Sequence, residues 1–233
     1  MTGRDIIIEA TSEGRSLLTE TESKELIKAS GIVVNETKLA RSEDEAVSIS
    51  NHIGYPVALK IASQDIAHKS DAGGVKLEIR SPEDVSKNYR DIIHSVAQKH
   101  PTATIQGITV QKSIPPGVEV IMGMFKDAQF GPVLMFGLGG IFVEVLKDIS
   151  FRIVPLSKND AACLIRDIKA FPLLEGCRGR DALDILSLED ALLKLSAFVE
   201  KHSEVKELDL NPIVVYPEGY TAVDARVILE HSG

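Results

Sequence analysis

The chain has 233 residues, 44% hydrophobic and 26% charged, with a formal net charge of −8 at pH 7. That length and balance describe an ordinary soluble globular protein of one or two domains and exclude disordered and fibrous classes. The acidic excess excludes a binder of nucleic-acid backbone, which needs a basic face, so any anionic ligand must meet locally placed cations. Residues 1–11 read as a flexible tail: "MTGRDIIIEATSEGRS" has an apolar patch too short and too acidic for a secretory signal, and a cytoplasmic protein is expected. The most apolar run, "GPVLMFGLGGIFVEVL", is broken by Glu144 and falls short of the ~20 apolar residues of a bilayer span, so no membrane helix is expected. Thr21 is placed to cap a helix that Gly31 stops, and "IVVNETKLA" follows as a strand. Ser42, with Glu45 in the capping-box position, opens a second helix that Gly54 closes before Pro56. "PVALKIA" is a strand carrying Lys60, and "VKLEIR" is another beyond a polar loop. Ser81, with Pro82 at the first helical position, starts a helix that runs to the region of Lys99. The β-rich runs "IQGITVQKSI", "GVEVIMGMFK", "PVLMFGLG" and "SFRIVPL" then predict a mixed or antiparallel sheet. Helices from Ser157 and Ser187 flank the loop "FPLLEGCRGR", and "EVKELDLNPIVVY" with "YTAVDARVIL" forms a terminal hairpin about Glu218-Gly219. The fold class is α/β (α+β), with no internal repeat or linker.

Familiar nucleotide and hydrolase motifs are missing. "GLGGIF" has Phe142 where a dinucleotide fingerprint requires its third glycine, and no Gly-Lys-Ser/Thr follows any glycine loop. There is no His-Glu-x-x-His and no Gly-x-Ser-x-Gly. Cys163 and Cys177 are too few for a disulfide framework or a zinc cage.

The terminal hairpin carries chemistry. With a two-residue turn, Asn211 faces Arg226 and Ile213 faces Asp224, so Asp209, Asn211 and Asp224 project from one face. Hard oxygen donors in incomplete number suit Mg²⁺, which keeps waters and completes its shell from substrate phosphates. A bulge or a three-residue loop would reverse the parity and leave these residues as solvent-facing strand ends.

The loop "DIAHKSDAGGVKL" places His68 between charged residues and a glycine pair. Three readings are open: a solvated loop residue, a metal ligand with Asp65 and Asp71 that lacks a second histidine, or a nucleophile. Imidazole near its reference pKa of ~6.5 is largely neutral at pH 7, so a ring nitrogen can attack phosphorus.

Taken together, "LTETESKELIKASGI", "PVALKIASQDIAHKSDAGGVKL", "GVEVIMGMFKDAQFGPVLMFGLGGIFVEVLKDISFRIVPL" and "ELDLNPIVVY" resemble the ATP-grasp subunit of ADP-forming acetyl-CoA synthetase (acetate–CoA ligase, ADP-forming). The resemblance spans nearly the whole chain. It extends to the related succinyl-CoA synthetase, whose nucleotide-binding subunit has a glycine-rich loop before Gly-Gly-Val-Lys and an Asn-Pro strand followed by an aspartate. It implies an ATP-grasp domain over residues 12–230, two lobes with mixed or antiparallel sheets clamping the nucleotide, and a hinge near residues 111–118. It also implies ATP or ADP as substrate, with Mg²⁺ held by Asn211, Asp224 and Asp209. Lys60 would neutralise phosphate charge, and the backbone around Gly73 and Gly74 would approach phosphate oxygens. Gln111 would lie beside the adenine, Glu119 would reach the sugar, and Arg152 would fork onto phosphate. The other reading of Gln111 and Glu119 is an exposed polar strand position, and that of Arg152 is a structural ion pair. His68 would be the phosphohistidine nucleophile, receiving phosphate from another on the partner subunit.

The chain offers no room for a CoA and acyl site, so a CoA-binding alpha subunit must supply it, in an α2β2 hetero-oligomer with neither nucleic acid nor membrane as partner. The expected reaction is acyl-CoA, ADP and phosphate to carboxylate, CoA and ATP, of which this chain performs the final phosphoryl transfer. Two alternatives remain: another ATP-grasp ligase that activates a carboxylate directly, and a non-catalytic nucleotide-sensing subunit.

Overall fold

The computed structural model describes residues 3–63, 65–66, 69–140, 147–176, 179 and 181–230; His68, Phe142, Glu144 and Cys177 lie outside them. The chain divides into two compact units, Met1–Val34 with Pro116–Gly233, and Asn35–Pro115. The second change of unit, at Pro115/Pro116, falls within the stretch 111–118.

The chain starts with α1 (Gly3–Ser12) and α2 (Glu20–Ala29). From Gly3 on, the segment expected to be a flexible tail over residues 1–11 is therefore helix. Ile6, Ile7 and Ala10 recur at helical spacing and are buried in the core of the first unit. What seats them is α2, packed against α1, which no local pattern around "DIII" announces. The cap of α2 is Thr19 rather than Thr21: Thr19 and Glu22 close a capping box, and Arg15 forks onto Glu22 at 2.9 and 3.0 Å.

The unit Asn35–Pro115 contains β1 (Thr37–Ala40), α3 (Glu43–Ile53), β2 (Val57–Ala62), β3 (Val75–Ile79), α4 (Pro82–Lys99) and β4 (Gly107–Lys112). Its sheet has the order β1-β4-β2-β3, antiparallel throughout. Ser42 and Ser81 accept the N–H of Glu45 and Asp84, so both helices start where their capping patterns place them. The strand expected over Ile32–Ala40 ladders only from Thr37, because the chain changes unit at Val34/Asn35. Leu59, Ile61, Ile108 and Val110 pack in one core with Ala46 of α3 and Ile92 and Val96 of α4. Burying each such aliphatic side chain contributes about 1.5–3 kcal/mol. Alternation puts Lys60, Thr109 and Gln111 on the opposite face.

The rest of the first unit comprises β5 (Val118–Asp127), β6 (Gly131–Leu138), β7 (Ile149–Ile153), α5 (Lys158–Arg166), a 3₁₀ turn at Phe171–Leu173, α6 (Ile185–Lys201), β8 (Val205–Val215), β9 (Tyr220–Ala222) and β10 (Arg226–Leu229). The sheet order is β10-β8-β5-β6-β7, with β9 also on β8, and every strand pair is antiparallel. Met122, Leu134, Phe136, Leu208 and Leu210 form its core with Leu164 and Ile165 of α5 and Leu188 and Leu192 of α6. The cap of α6 is Asp184, not Ser187; its carboxylate accepts the N–H of Ser187 and, from the terminal hairpin, that of Gly219. No helix of the described residues is long and apolar enough to cross a membrane.

Candidate functional site

The face of the larger sheet turned away from this core carries the polar chemistry. Directly paired residues in an antiparallel ladder share a face. Arg226 pairs with Asp209, Asp209 with Gly123, Gly123 with Met135 and Met135 with Phe151, a row running from β10 to β7.

The terminal hairpin reaches this row by a register different from the one predicted. A four-residue loop, Tyr216–Gly219, replaces the two-residue turn, and Tyr216 N–H donates to the Gly219 carbonyl at 3.0 Å. Ile213 therefore opposes Ala222 rather than Asp224, and Arg226 opposes Asp209 rather than Asn211. The long-range bond from Gly219 N–H to Asp184, at 2.8 Å, holds the loop in this form. The register moves by two residues, and a bulge between Asp209 and Ile213 puts Ile213 in the core while Asp209 keeps the opposite face; Asp224 lies between β9 and β10, outside the ladder. This bulge in β8 sets Asn211 and Pro212 against Ile121 alone, the setting in which a sheet interior tolerates a proline without its N–H.

The outcome is that Asp209, Asn211 and Asp224 interact. Burial, then the like charge of Asp224, push the Asp209 carboxyl above the usual carboxylate range, against the opposing pull of Arg226 and a hydrogen bond with the Asn211 side chain. Asp209 and Asp224 are half-buried and Asn211 is exposed. Among the described residues no three His, Cys, Asp or Glu side chains gather into a metal site; here the third donor is an amide. Two mutually repelling carboxylates and an amide oxygen fit Mg²⁺, which relieves the repulsion and draws its remaining ligands from water or phosphate. Beside the cluster a cavity of about 280 Å³ is lined by Gly123, Met135, Glu207, Asp209, Arg226 and Ile228.

Glu119 lies exposed on the same face of β5 as Ile121 and Gly123. Gly139 is pressed against it: its N–H donates to the Glu119 carbonyl at 2.7 Å, and a Cβ there would come within 3.0 Å of the Glu119 Cβ. Arg152, expected to fork onto phosphate, is committed elsewhere. Its guanidinium pairs with Asp167 at the end of α5 and donates to the Phe151 carbonyl at 2.8 Å.

In the other unit, Lys60 and Gln111 share the sheet face away from α3 and α4, and both are buried. The Asn35 amide donates to Gln111 Oε1 at 3.4 Å. Gly73 and Gly74 are not arranged as predicted: their N–H groups donate to the carbonyls of Ser70 and Lys69, within the loop itself. Their lack of a side chain is required by packing, because a Cβ would come within 2.4 Å of Ser95 Oγ at Gly73 and 2.5 Å of Ile61 Cγ2 at Gly74. Asp65 accepts the N–H of Thr104 at 2.7 Å, and Lys99 donates to the Asp71 carbonyl at 2.8 Å.

One residue of the sheet face, Arg226, was missed as a site candidate. It follows Asp224 at the period-two spacing that singled out Asp209 and Asn211, and that spacing was the available signal.

Comparison with known proteins identifies the family. The model of a family described as an ATP-grasp domain matches residues 9–229. Acetate–CoA ligase [ADP-forming] I subunit beta of Pyrococcus furiosus is 49% identical over 226 residues, 97% of each chain. The chain belongs to the ATP-grasp family, in the line of ADP-forming acetate–CoA ligase beta subunits. Two solved structures share the fold of this ATP-grasp chain, both of Ca. Korarchaeum cryptofilum dinucleotide forming acetyl-coenzyme A synthetase 1. One, in complex with coenzyme A, Ca-AMPCP and HgCl+, has a TM-score of 0.96 and 49% identity, and the match covers 98% of this chain and 100% of that one. The other contains coenzyme A and Mg-AMPPCP, with its phosphohistidine segment pointing towards the nucleotide binding site. It has a TM-score of 0.88 and 45% identity, again covering 98% of this chain and 100% of that one.

Proposed function

We propose that this chain is the nucleotide-binding subunit of an ADP-forming acyl-CoA synthetase, converting acyl-CoA, ADP and phosphate to carboxylate, CoA and ATP with a CoA-binding alpha subunit in an α2β2 assembly. The observation that carries the reading is the cluster in which Asp209, on the open face of the larger sheet of an ATP-grasp chain, interacts with both Asn211 and Asp224. These three residues would hold Mg²⁺, which when bound neutralises phosphate charge and orients the phosphates for transfer. Lys60 supplies cationic charge for the nucleotide phosphates, Gln111 an amide for the base, and Glu119 a carboxylate for the sugar. Phosphohistidine chemistry falls to His68, which lies outside the described residues. Arg152 is not part of this set, since Asp167 occupies it. Neither are the N–H groups of Gly73 and Gly74. The relative whose phosphohistidine segment points towards bound Mg-AMPPCP supports the assignment.

A single-turnover experiment tests it. The chain, phosphorylated in the presence of its partner, should carry acid-labile, base-stable phosphate and pass it to ADP. His68→Asn keeps size and hydrogen bonding but no nucleophilic nitrogen, and should abolish both labelling and ATP formation while ADP still binds. ATP synthesis by His68→Asn would favour a ligase that activates carboxylate directly. ADP binding without transfer by the unaltered chain would favour a nucleotide sensor.

A further inference from the structure

A phosphoryl group in transfer spreads negative charge over its equatorial oxygens, which preorganised donors stabilise. The cavity beside the Asp209 cluster is lined by the carboxylates of Glu207 and Asp209, which repel an entering phosphoryl dianion. The guanidinium weighed as a phosphate fork, that of Arg152, is paired with Asp167 and with a backbone carbonyl. One guanidinium does line this cavity. Arg226 opens β10 directly opposite Asp209, at the period-two spacing from Asp224, and is exposed. Among the described residues no carboxylate closes an ion pair on it and no hydrogen bond commits its guanidinium, although Asp209 feels its charge. The floor beneath it is kept low by Gly123, where a Cβ would already be 3.0 Å from Met135 Cε.

We propose that Arg226 is a catalytic residue that receives the oxygens of the phosphoryl group during transfer. The inference rests on the nucleotide-site reading above. In the step it serves, the P–N bond of the phosphohistidine breaks and a β-phosphate oxygen of ADP forms the new P–O bond. The leaving ring nitrogen takes up one proton from solvent and ends as neutral imidazole. Charge on the equatorial oxygens is then met by a fork of N–H donors already in place, and a planar guanidinium matches that geometry better than a point charge does.

The test compares Arg226→Ala and Arg226→Lys in the assembled enzyme, with ADP affinity by calorimetry, Mg²⁺ dependence, and single-turnover transfer to ADP. Arg226→Ala should lower the transfer rate about 100-fold, the scale of losing one preorganised donor, with the loss persisting at saturating Mg²⁺ and ADP affinity as in the unaltered enzyme. Arg226→Lys should recover part of the loss, which a merely structural role would not produce. Wild-type transfer by Arg226→Ala would overturn the proposal while leaving the nucleotide reading intact. A loss that disappears at saturating Mg²⁺ would also overturn it, because Arg226 would then only shape the metal cluster. If the unaltered chain neither bound ADP nor accepted phosphate, the nucleotide reading would fail first and this proposal with it.

Discussion

Gly73 takes φ +73 and faces Ser95 of α4 at a distance that leaves no room for a methyl group. The same glycine pair, read for chemistry, suggests a phosphate cradle; read for packing, it closes a tight loop between β2 and β3. The loop carbonyls that already hold both N–H groups decide for packing. Gly73→Ala is therefore expected to lower stability by about 1–3 kcal/mol through overpacking and positive-φ strain, without altering the ADP affinity of folded protein. Thermal melts and calorimetry on the same variant check this, and a loss of affinity at unchanged stability would restore the phosphate role. Arg152 teaches the same point with charge. Its residue type suits phosphate, but Asp167 lies fifteen positions on and takes it first. The chemistry open to a side chain is written in its type, and the partner that uses it is not.

At the scale of elements, helix starts divide into those decided within four residues and those decided from afar. Ser42, Ser81 and Ser157 each accept the N–H three residues on, and local spacing finds them. At α6 both Asp184 and Ser187 are acceptable caps locally, and the choice falls to Asp184 because its carboxylate also holds Gly219 of the β8–β9 loop. Asp184 thus ties a helix start to the hairpin whose register aligns Arg226 with Asp209. Asp184→Ala should lower stability by about 1–2 kcal/mol, the usual scale of a lost cap. The Ser187 hydroxyl first, then the N–H groups of Ser187 and Gly219, hold the Asp184 carboxyl below the ordinary range. Its stabilisation is complete above the unfolded value near 3.9 and is lost as pH falls through the lower folded value. Denaturant melts should show a constant gap between the two proteins at neutral pH and a narrowing gap in acid. A gap of the same size at both would show that the carboxylate's charge does not matter.

For the whole molecule, both units spend their cores on joining a sheet to helices, with the polar residues of the proposed site on the sheet faces left over. The proposed function assigns the acyl-CoA site to a partner subunit. The expectation is that the pure chain binds Mg-nucleotide but forms no thioester, and that a CoA-binding partner confers ligation. Coupled assays of CoA consumption with and without the partner check this; robust ligation by the pure chain would show that it contains its own acyl site.

Read alone, the sequence was sufficient for the order of most elements and for the ATP-grasp resemblance. Capping within four residues and alternation with period two are local rules, and a bulge such as the one at Asn211 and Pro212 interrupts the second. Tertiary structure decided what those rules cannot reach. Residues 3–12 are helical because α2 packs on them and Ile6, Ile7 and Ala10 are buried, though in isolation they look like a short apolar patch in a tail. The terminal hairpin has its register because Asp184, thirty-five residues before Gly219, holds the turn. Arg152 and Arg226 have the same guanidinium and both sit on strands of the same sheet. Only the fold gives one of them Asp167 as a partner and leaves the other facing the cavity, because the energy of a charge depends on what stands within a few ångströms of it in space.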